Sequence, residues 1–591
     1  MDIPIFYSGY LQLHVHTILI ILLVLIFKYT ITKEVILMLR KKMLSITLAT
    51  TLLLATVLTG CGGKDTRSDN GLISDSSQVI NVSSTQDILS LDTSKLADAA
   101  SNTIAQETQE GLVRLENKKL VAAGAEKWEV SEDGLTWIFT LKDYSWSDGK
   151  KVKADDYVYA VRRLFEPEIG SPNAGIFYMI KGGEAYNTNK GKAEDIGVKA
   201  IDDKTLEFSL NQPTPYFLQL MNFPNLLPLR QDIVEKGRDA YGTDCKQVLY
   251  SGPFVVDEWV KGSKVVLKKN DKYWDAGSVK LETANILLVP EEATRQQMFY
   301  GKSLDVIQNV RQEYSDKLKD KVESGEITAL IGNYPRVGYI AFNNEDPNNI
   351  FTNEKVRLAF SLSLDRDGYV KNVVKKDQPS YGLVPYGLNN GDKVFREEVE
   401  EPLKEIKDQD PKKLLKQGLE ELGLDPNEQI EITFLQQNAN ADTRVIGEFY
   451  QSQWQENLNV KVNIDTASDS ATFNNMIMKG TYQVAQTGWG ADYNDPMTFM
   501  GLFVSGDGNN SAFFSDSKYD ELVKEASVES DMEKRLNMFK EAEKILIADK
   551  AGIAPLTFNV ATNYLQGYVK GLNIEAGGPA YELKHVYIEN K

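Results

Sequence analysis

The chain has 591 residues, with 66 Lys and Arg against 84 Asp and Glu, for a formal net charge of −18. It is longer than one hydrophobic core usually serves, so two or three domains are expected. The acidity, with no compensating basic stripe, argues against nucleic-acid partners.

Three histidines and two cysteines are too few for a His-based zinc site, a Ser-His-Asp triad or a Cys-His pair. That scarcity removes most hydrolase readings, and no catalytic residue, metal or cofactor is expected.

In chain order, Arg40, Lys41 and Lys42 precede the apolar stretch Met43 to Val57, and Leu58-Thr59-Gly60-Cys61 follows. A basic region, a short apolar region and small residues at the cut make a secretory signal, so residues 1–60 read as targeting sequence. Leu-Thr-Gly-Cys resembles the bacterial lipobox, whose Cys becomes the lipidated first residue of the mature chain. That resemblance makes Cys61 the expected lipid attachment and membrane anchor. A short transmembrane anchor with an incidental Cys is the alternative. A further apolar run within Tyr10 to Phe27 lies ahead of this complete signal, so residues 1–37 read as an upstream start, with an additional membrane helix as the alternative. Residues 61–78, polar and rich in Gly, Ser and Asp, read as a flexible tether.

In the body, apolar residues alternate along Trp137 to Leu141 and Thr205 to Leu210, which predicts strands. Asp155 to Phe165, Asn353 to Leu364 and Met532 to Ile547 show helical spacing, with Thr352 or Asn353 as the cap of the second. Interleaved strands and helices predict an α/β architecture. Asp143 to Gly149 and Asn389 to Asp392 read as turn-rich loops.

Chemical motifs fail on inspection. Gly301-Lys302-Ser303 lacks the first glycine of a phosphate loop, because Gln296 stands there. The pair Asp155-Asp156 beside Tyr157 reads as helix N-terminal acids rather than glycosidase carboxylates. Asn344-Glu345-Asp346 reads as a solvated loop rather than a calcium site.

Four segments together resemble the substrate-binding proteins of peptide ABC transporters, solute-binding protein family 5. The first is Gly134-Leu135-Thr136-Trp137-Ile138-Phe139-Thr140-Leu141 with Trp146-Ser147-Asp148-Gly149 and Val152 to Tyr159. Ser251-Gly252-Pro253-Phe254 with Trp259, Asn270 and Tyr273-Trp274 is the second, and Asn353 to Arg366 the third. The fourth is Gly488-Trp489-Gly490-Ala491-Asp492-Tyr493-Asn494-Asp495-Pro496. Their order and spacing match across roughly residues 80–591. The resemblance implies a two-lobed, type II periplasmic-binding-protein-like clam shell with an additional inserted domain. Lobe I would be 79–109, 229–335 and 556–591, the inserted domain 110–228, and lobe II 336–555, hinged near 335 and 555.

It also implies the site. Asp492 matches the carboxylate that pairs with a peptide's α-ammonium, with a loop Asp capping a turn as the alternative. Trp489 and Tyr493 beside it could form an aromatic wall, or Trp489 could be plain core packing. Gly488 and Gly490 would admit the peptide backbone closely, and Ala97-Asp98-Ala99 match a segment that pairs with it. Gln486 and Asn173 stand where some relatives carry Arg and Tyr, which puts pocket length and preference in question. Arg444 could meet a peptide carboxylate or be solvated. The implied partners are an oligopeptide, the permease subunits with their ATPases, and the membrane through lipid on Cys61, with no nucleic acid and a monomeric state. The implied place is the extracytoplasmic face of the cell membrane. A peptide-sensing or adhesion lipoprotein on the same fold, or a binder of a non-peptide solute, is the alternative.

Overall fold

A computed structural model describes residues 77–591 except 117–118, 347, 439 and 574–579. The signal region, Cys61 and nearly all of the tether therefore lie outside the described residues. Among the described residues no helix is long and apolar enough to cross a membrane.

Strand β1 (Val79–Ser84) and helix α1 (Ala99–Thr108) open the folded body. Asp98 caps α1, its carboxylate accepting the Ser101 amide at 2.8 Å, which supplies one of the helix's unmet N-terminal donors with a partner.

The chain then builds an antiparallel sheet from β2 (Ala125–Val130), β3 (Thr136–Leu141), β4 (Val198–Asp202) and β5 (Thr205–Ser209), in the order β2-β3-β5-β4. The alternation in the two sequence strands is what pairs them. Trp137 stands opposite Phe208, and Phe139 opposite Leu206, and all four are buried. Helix α2 (Ala154–Leu164) packs on this sheet. Its Asp156 is a capping acid: Oδ2 accepts the Lys153 amide and the Trp146 indole N–H, both at 3.0 Å. The pair at 155–156 is thus helix-terminal, as expected, but Asp156 is tied into the core and not merely solvated.

Strands β6 (Phe254–Val260), β7 (Lys264–Lys269) and β8 (Thr283–Leu288) return to β1 and complete a four-stranded sheet, β1-β8-β7-β6, in which β1 and β8 run parallel. Gly301-Lys302-Ser303 follows the C-terminus of the helix Glu292–Tyr300. That is the negative end of the helix dipole, the wrong end for a phosphate.

The largest sheet has seven strands. Its spine is β9 (Ile327–Phe342), followed in sequence by helix α3 (Glu354–Leu362), β10 (Glu431–Gln436), helix α4 (Ala441–Leu458), β11 (Lys461–Thr466), β12 (Val484–Gly490), helix α5 (Met532–Lys544) and β13 (Ile553–Gln566). The order β13-β9-β12-β10-β11 has Val306–Ile307 outside β13. Asn353 caps α3 by accepting the Lys355 and Val356 amides at 2.9 and 3.2 Å. Both faces of the sheet are covered. Val337, Tyr339, Ala341 and Leu435 pack to one side, while Ile340, Phe342, Phe434, Tyr450 and Trp454 pack to the other. The expected loop at 389–392 is a tight hairpin, Asn389–Asn390 pairing with Lys393–Val394 around Gly391 at φ +63°.

Strands β9 and β13 form one long antiparallel pair with a break in the middle. Ile327 to Asn333 pair with Gln566 to Val560, the register shifts between Asn333 and Val337, and pairing resumes with Phe558. Pro335 sits in that irregularity, where its missing N–H costs no ladder bond.

Candidate functional site

The site forms where β12 runs out beside this break. The Ala491 amide donates to the Pro335 carbonyl at 2.8 Å, and Asp492 follows in the loop to the helical turn Met497–Met500. A cavity of about 320 Å³ opens there, at the small end of the range for ligand sites. One wall is α1 with Ala97, Ala99, Asn102, Thr103 and Gln106. Another is Gln219, Asn222, Phe223 and Pro224, and a third is Gln308, Asn309, Ala561, Asn563 and Ala580. Tyr334, Pro335 and the run Ala491 to Asn494 close it.

Asp492 lines this cavity half-buried. Its Oδ2 accepts the Trp489 indole N–H and the Thr498 hydroxyl, each at 3.1 Å, and its own amide donates to the Thr498 Oγ1 at 3.0 Å. Both side-chain bonds fall on Oδ2. Among the described residues no Lys or Arg pairs with this carboxylate, and burial raises its pKa against those two hydrogen bonds. A carboxylate raised by desolvation and lacking a cation favours a charged donor from outside.

Asp495, three residues on, contrasts with it. Arg535 clamps it at 2.8 and 2.7 Å, and both side chains are buried. Desolvation is repaid within the protein at Asp495 and not at Asp492.

The other sequence-marked residues separate into two groups. Trp489 orients Asp492 without lining the cavity. Tyr493 lines it and stacks on Tyr216. Ala97 and Ala99 line it, whereas the Asp98 carboxylate is spent on capping α1. Asn173 lies outside the lining. Its amide donates to the Leu96 carbonyl at 2.9 Å and to Asn225 at 3.0 Å, and so it pins the chain ahead of Ala97. Gln486 also lies outside the lining and donates to the Tyr369 hydroxyl at 3.1 Å. Gly488 and Gly490 pair with Gly338 and Arg336. A Cβ on Gly488 would come within 2.6 Å of the Val337 carbonyl, so the neighbouring protein strand already requires that glycine. Arg444 is exposed on α4, away from the lining.

Sequence reasoning missed the carboxamide wall. Asn102, Gln219, Asn222 and Asn309 line the cavity from segments far apart in the chain, and no spacing links them. The Asn102 Oδ1 is buried and unpartnered. Asn309, with φ +52°, is held through its amide on the Asn563 Oδ1 at 3.0 Å.

One group elsewhere could suggest a metal: ligand atoms of Glu116, Glu582 and His585 lie within 4.8 Å of one another. The Lys584 ammonium is 2.9 Å from Glu116, however, and supplies the positive charge there. His585 and Lys584 together hold the Glu116 carboxyl down to about 2.

A family model described as bacterial extracellular solute-binding proteins, family 5 middle, matches residues 119–511. The oligopeptide-binding protein OppA of Bacillus subtilis (strain 168) is 32% identical over 540 residues, 90% of this chain and 97% of that protein. The dipeptide-binding protein DppE of the same organism is 32% identical, over 78% of this chain and 83% of its own length. Among solved structures, Listeria monocytogenes OppA bound to peptide is similar with a TM-score of 0.70 and 31% identity, covering 87% of this chain and 99% of that one.

Proposed function

This chain belongs to the bacterial extracellular solute-binding proteins of family 5, with their two-lobed clam-shell fold, and from that premise we propose that it captures oligopeptides outside the cytoplasm and delivers them to an ABC transporter permease. Asp492 is the observation that carries this reading: a cavity-lining carboxylate, raised by burial, without a cationic partner among the described residues. A peptide's α-ammonium is the charge that fits it. The surrounding carboxamides both donate and accept, so they can meet backbone N–H and C=O groups whatever the peptide's sequence.

In this reading lobe I comprises 79–109, 229–335 and 556–591, the inserted domain 110–228, and lobe II 336–555. The register break at Asn333 and Val337 is where closure would bend the two long strands. Lipid on Cys61 would hold the protein at the membrane, where its permease works. Cys61→Ala should release it or leave it unprocessed, and a wild type that fails to take up labelled fatty acid removes the anchor from the proposal.

The direct test is thermal unfolding with peptides of two to ten residues. A ligand at a hundredfold its Kd stabilises by roughly 2.7 kcal/mol. Mass spectrometry should find peptides carried through purification. A full library that neither shifts the unfolding temperature nor displaces a peptide carried through purification refutes peptide capture.

A further inference from the structure

The cavity wall is chemically one-sided. Among the described residues Asp492 alone in the lining is charged at neutral pH, eight others are Asn or Gln, and no Lys, Arg or His lines it. Arg336 follows the lining residue Pro335, but its guanidinium lies against Gly488 and Gly490, with Nη2 3.3 Å and Nη1 3.9 Å from where their side chains would begin. It is not part of the lining.

A free peptide brings two opposite charges. Its ammonium has a counter-charge in Asp492. Its terminal carboxylate, if it came to rest in the same small space, would meet neutral carboxamides and a second carboxylate. The carboxamide N–H groups can bond it but cannot neutralise it, and burying an unpaired charge is costly. A longer chain avoids this by carrying its carboxylate past the cavity into water. Family membership leaves the matter open, since the names of its relatives include both an oligopeptide and a dipeptide binder.

We infer, on the reading that peptides are the ligand, that this chain selects them by where the C-terminal charge falls: it takes peptides whose terminal carboxylate lies beyond the carboxamide wall or is masked, and rejects dipeptides with a free C-terminus. The carboxamides and Asp492 act together in this. The acid fixes one end, and the neutral wall makes the distance to the other end count.

Calorimetry on the wild-type protein at pH 7 tests it, with alanine peptides of two to six residues, each as free acid, C-terminal amide and methyl ester. The dipeptide acid should bind at least about tenfold more weakly than its amide. The ester, neutral without the amide's added donors, should behave as the amide does. The gap should close by the hexapeptide. A dipeptide acid that binds as tightly as its amide overturns the inference while leaving peptide capture intact. If no form binds at any length, the peptide reading itself fails and the inference falls with it.

Discussion

Tyr216 and Tyr493 stack with ring centroids 5.5 Å apart and planes 6° from parallel, so the segment that carries the antiparallel sheet meets the loop that carries Asp492. Arg535 holds the assembly from behind. Its guanidinium lies 5.6 Å over the Tyr216 ring, chelates Asp495, and donates to the Ala526 carbonyl and the Asn390 Oδ1, each at 2.9 Å. The loop is thus fixed on one side by an ion pair and on the other by a ring, and Asp492 is presented between fixed points.

Arg535→Met should therefore cost about 3–5 kcal/mol, because it strands a buried Asp495. Chemical denaturation measures this. Replacing both partners, Arg535→Met with Asp495→Leu, should recover part of the loss, since no buried charge then remains. A single variant that loses under about 1 kcal/mol would show that the pair is not what holds the loop.

Stability should also decline from acid to mildly alkaline pH because of Glu107. Burial is the main cause that pushes its carboxyl up from 4.5 to about 8. Arg114 works against this and Glu582 with it. The folded value lies above the unfolded one, so the stability this group contributes is fully present below 4.5 and is lost as the pH rises towards 8. At roughly 1.4 kcal/mol per pH unit the loss is on the order of a few kcal/mol. Glu107→Gln keeps an acceptor for the Leu583 amide, which both carboxylate oxygens meet at 3.3 Å. It should flatten the profile between pH 5 and 8. Parallel profiles for the two proteins would place the titration elsewhere.

Much of the fold was legible because alternation and capping are local. Strands β3 and β5 follow from the alternation at Trp137 to Leu141 and Thr205 to Leu210, though not their pairing, and the start of α3 follows from Asn353. Three of the four family-like segments prove to be packing devices. Trp146 bonds Asp156. The Tyr273 hydroxyl and the Trp274 indole converge on Glu110, at 3.1 and 2.9 Å. Arg366 is buried among the carbonyls of Ser361, Ser380 and Pro555. The fourth reaches the cavity, and only part of it lines the wall. The opposing carboxamides were invisible because loops from distant segments bring them together, and a loop Asn leaves no periodic trace.

The glycines of that fourth segment give a sharp test of which neighbour they serve. A Cβ at 488 meets the Val337 carbonyl at 2.6 Å, whereas one at 490 finds only the Arg336 Nη1 at 3.9 Å. Gly488→Ala should therefore destabilise the protein by about 1–3 kcal/mol through backbone displacement, and Gly490→Ala should leave stability nearly unchanged. Thermal unfolding decides the first point. If Gly490→Ala instead abolishes peptide binding at full stability, close approach of the ligand backbone is the reason for that glycine.

Asp492 carries the mechanism proposed, and a double cycle tests it. Asp492→Asn keeps the size and an acceptor for Trp489 and Thr498 but removes the charge. Stranding one partner of a buried pair costs about 2–5 kcal/mol, so affinity for a free peptide should fall by roughly 30- to 3,000-fold. An N-acetylated peptide has no ammonium. It should bind the wild type poorly and lose little more in the variant, so the two losses should overlap instead of adding. The pH dependence carries the same sign. Burial raises the Asp492 carboxyl above its ordinary 3.8, and an ammonium partner needs the ionised form. Affinity for free peptides should therefore fall as the pH drops through that raised value, with protons released on binding there, and Asp492→Asn should abolish both effects. Losses that simply add across the cycle, or a pH dependence that survives in Asp492→Asn, would show that the ammonium is held elsewhere.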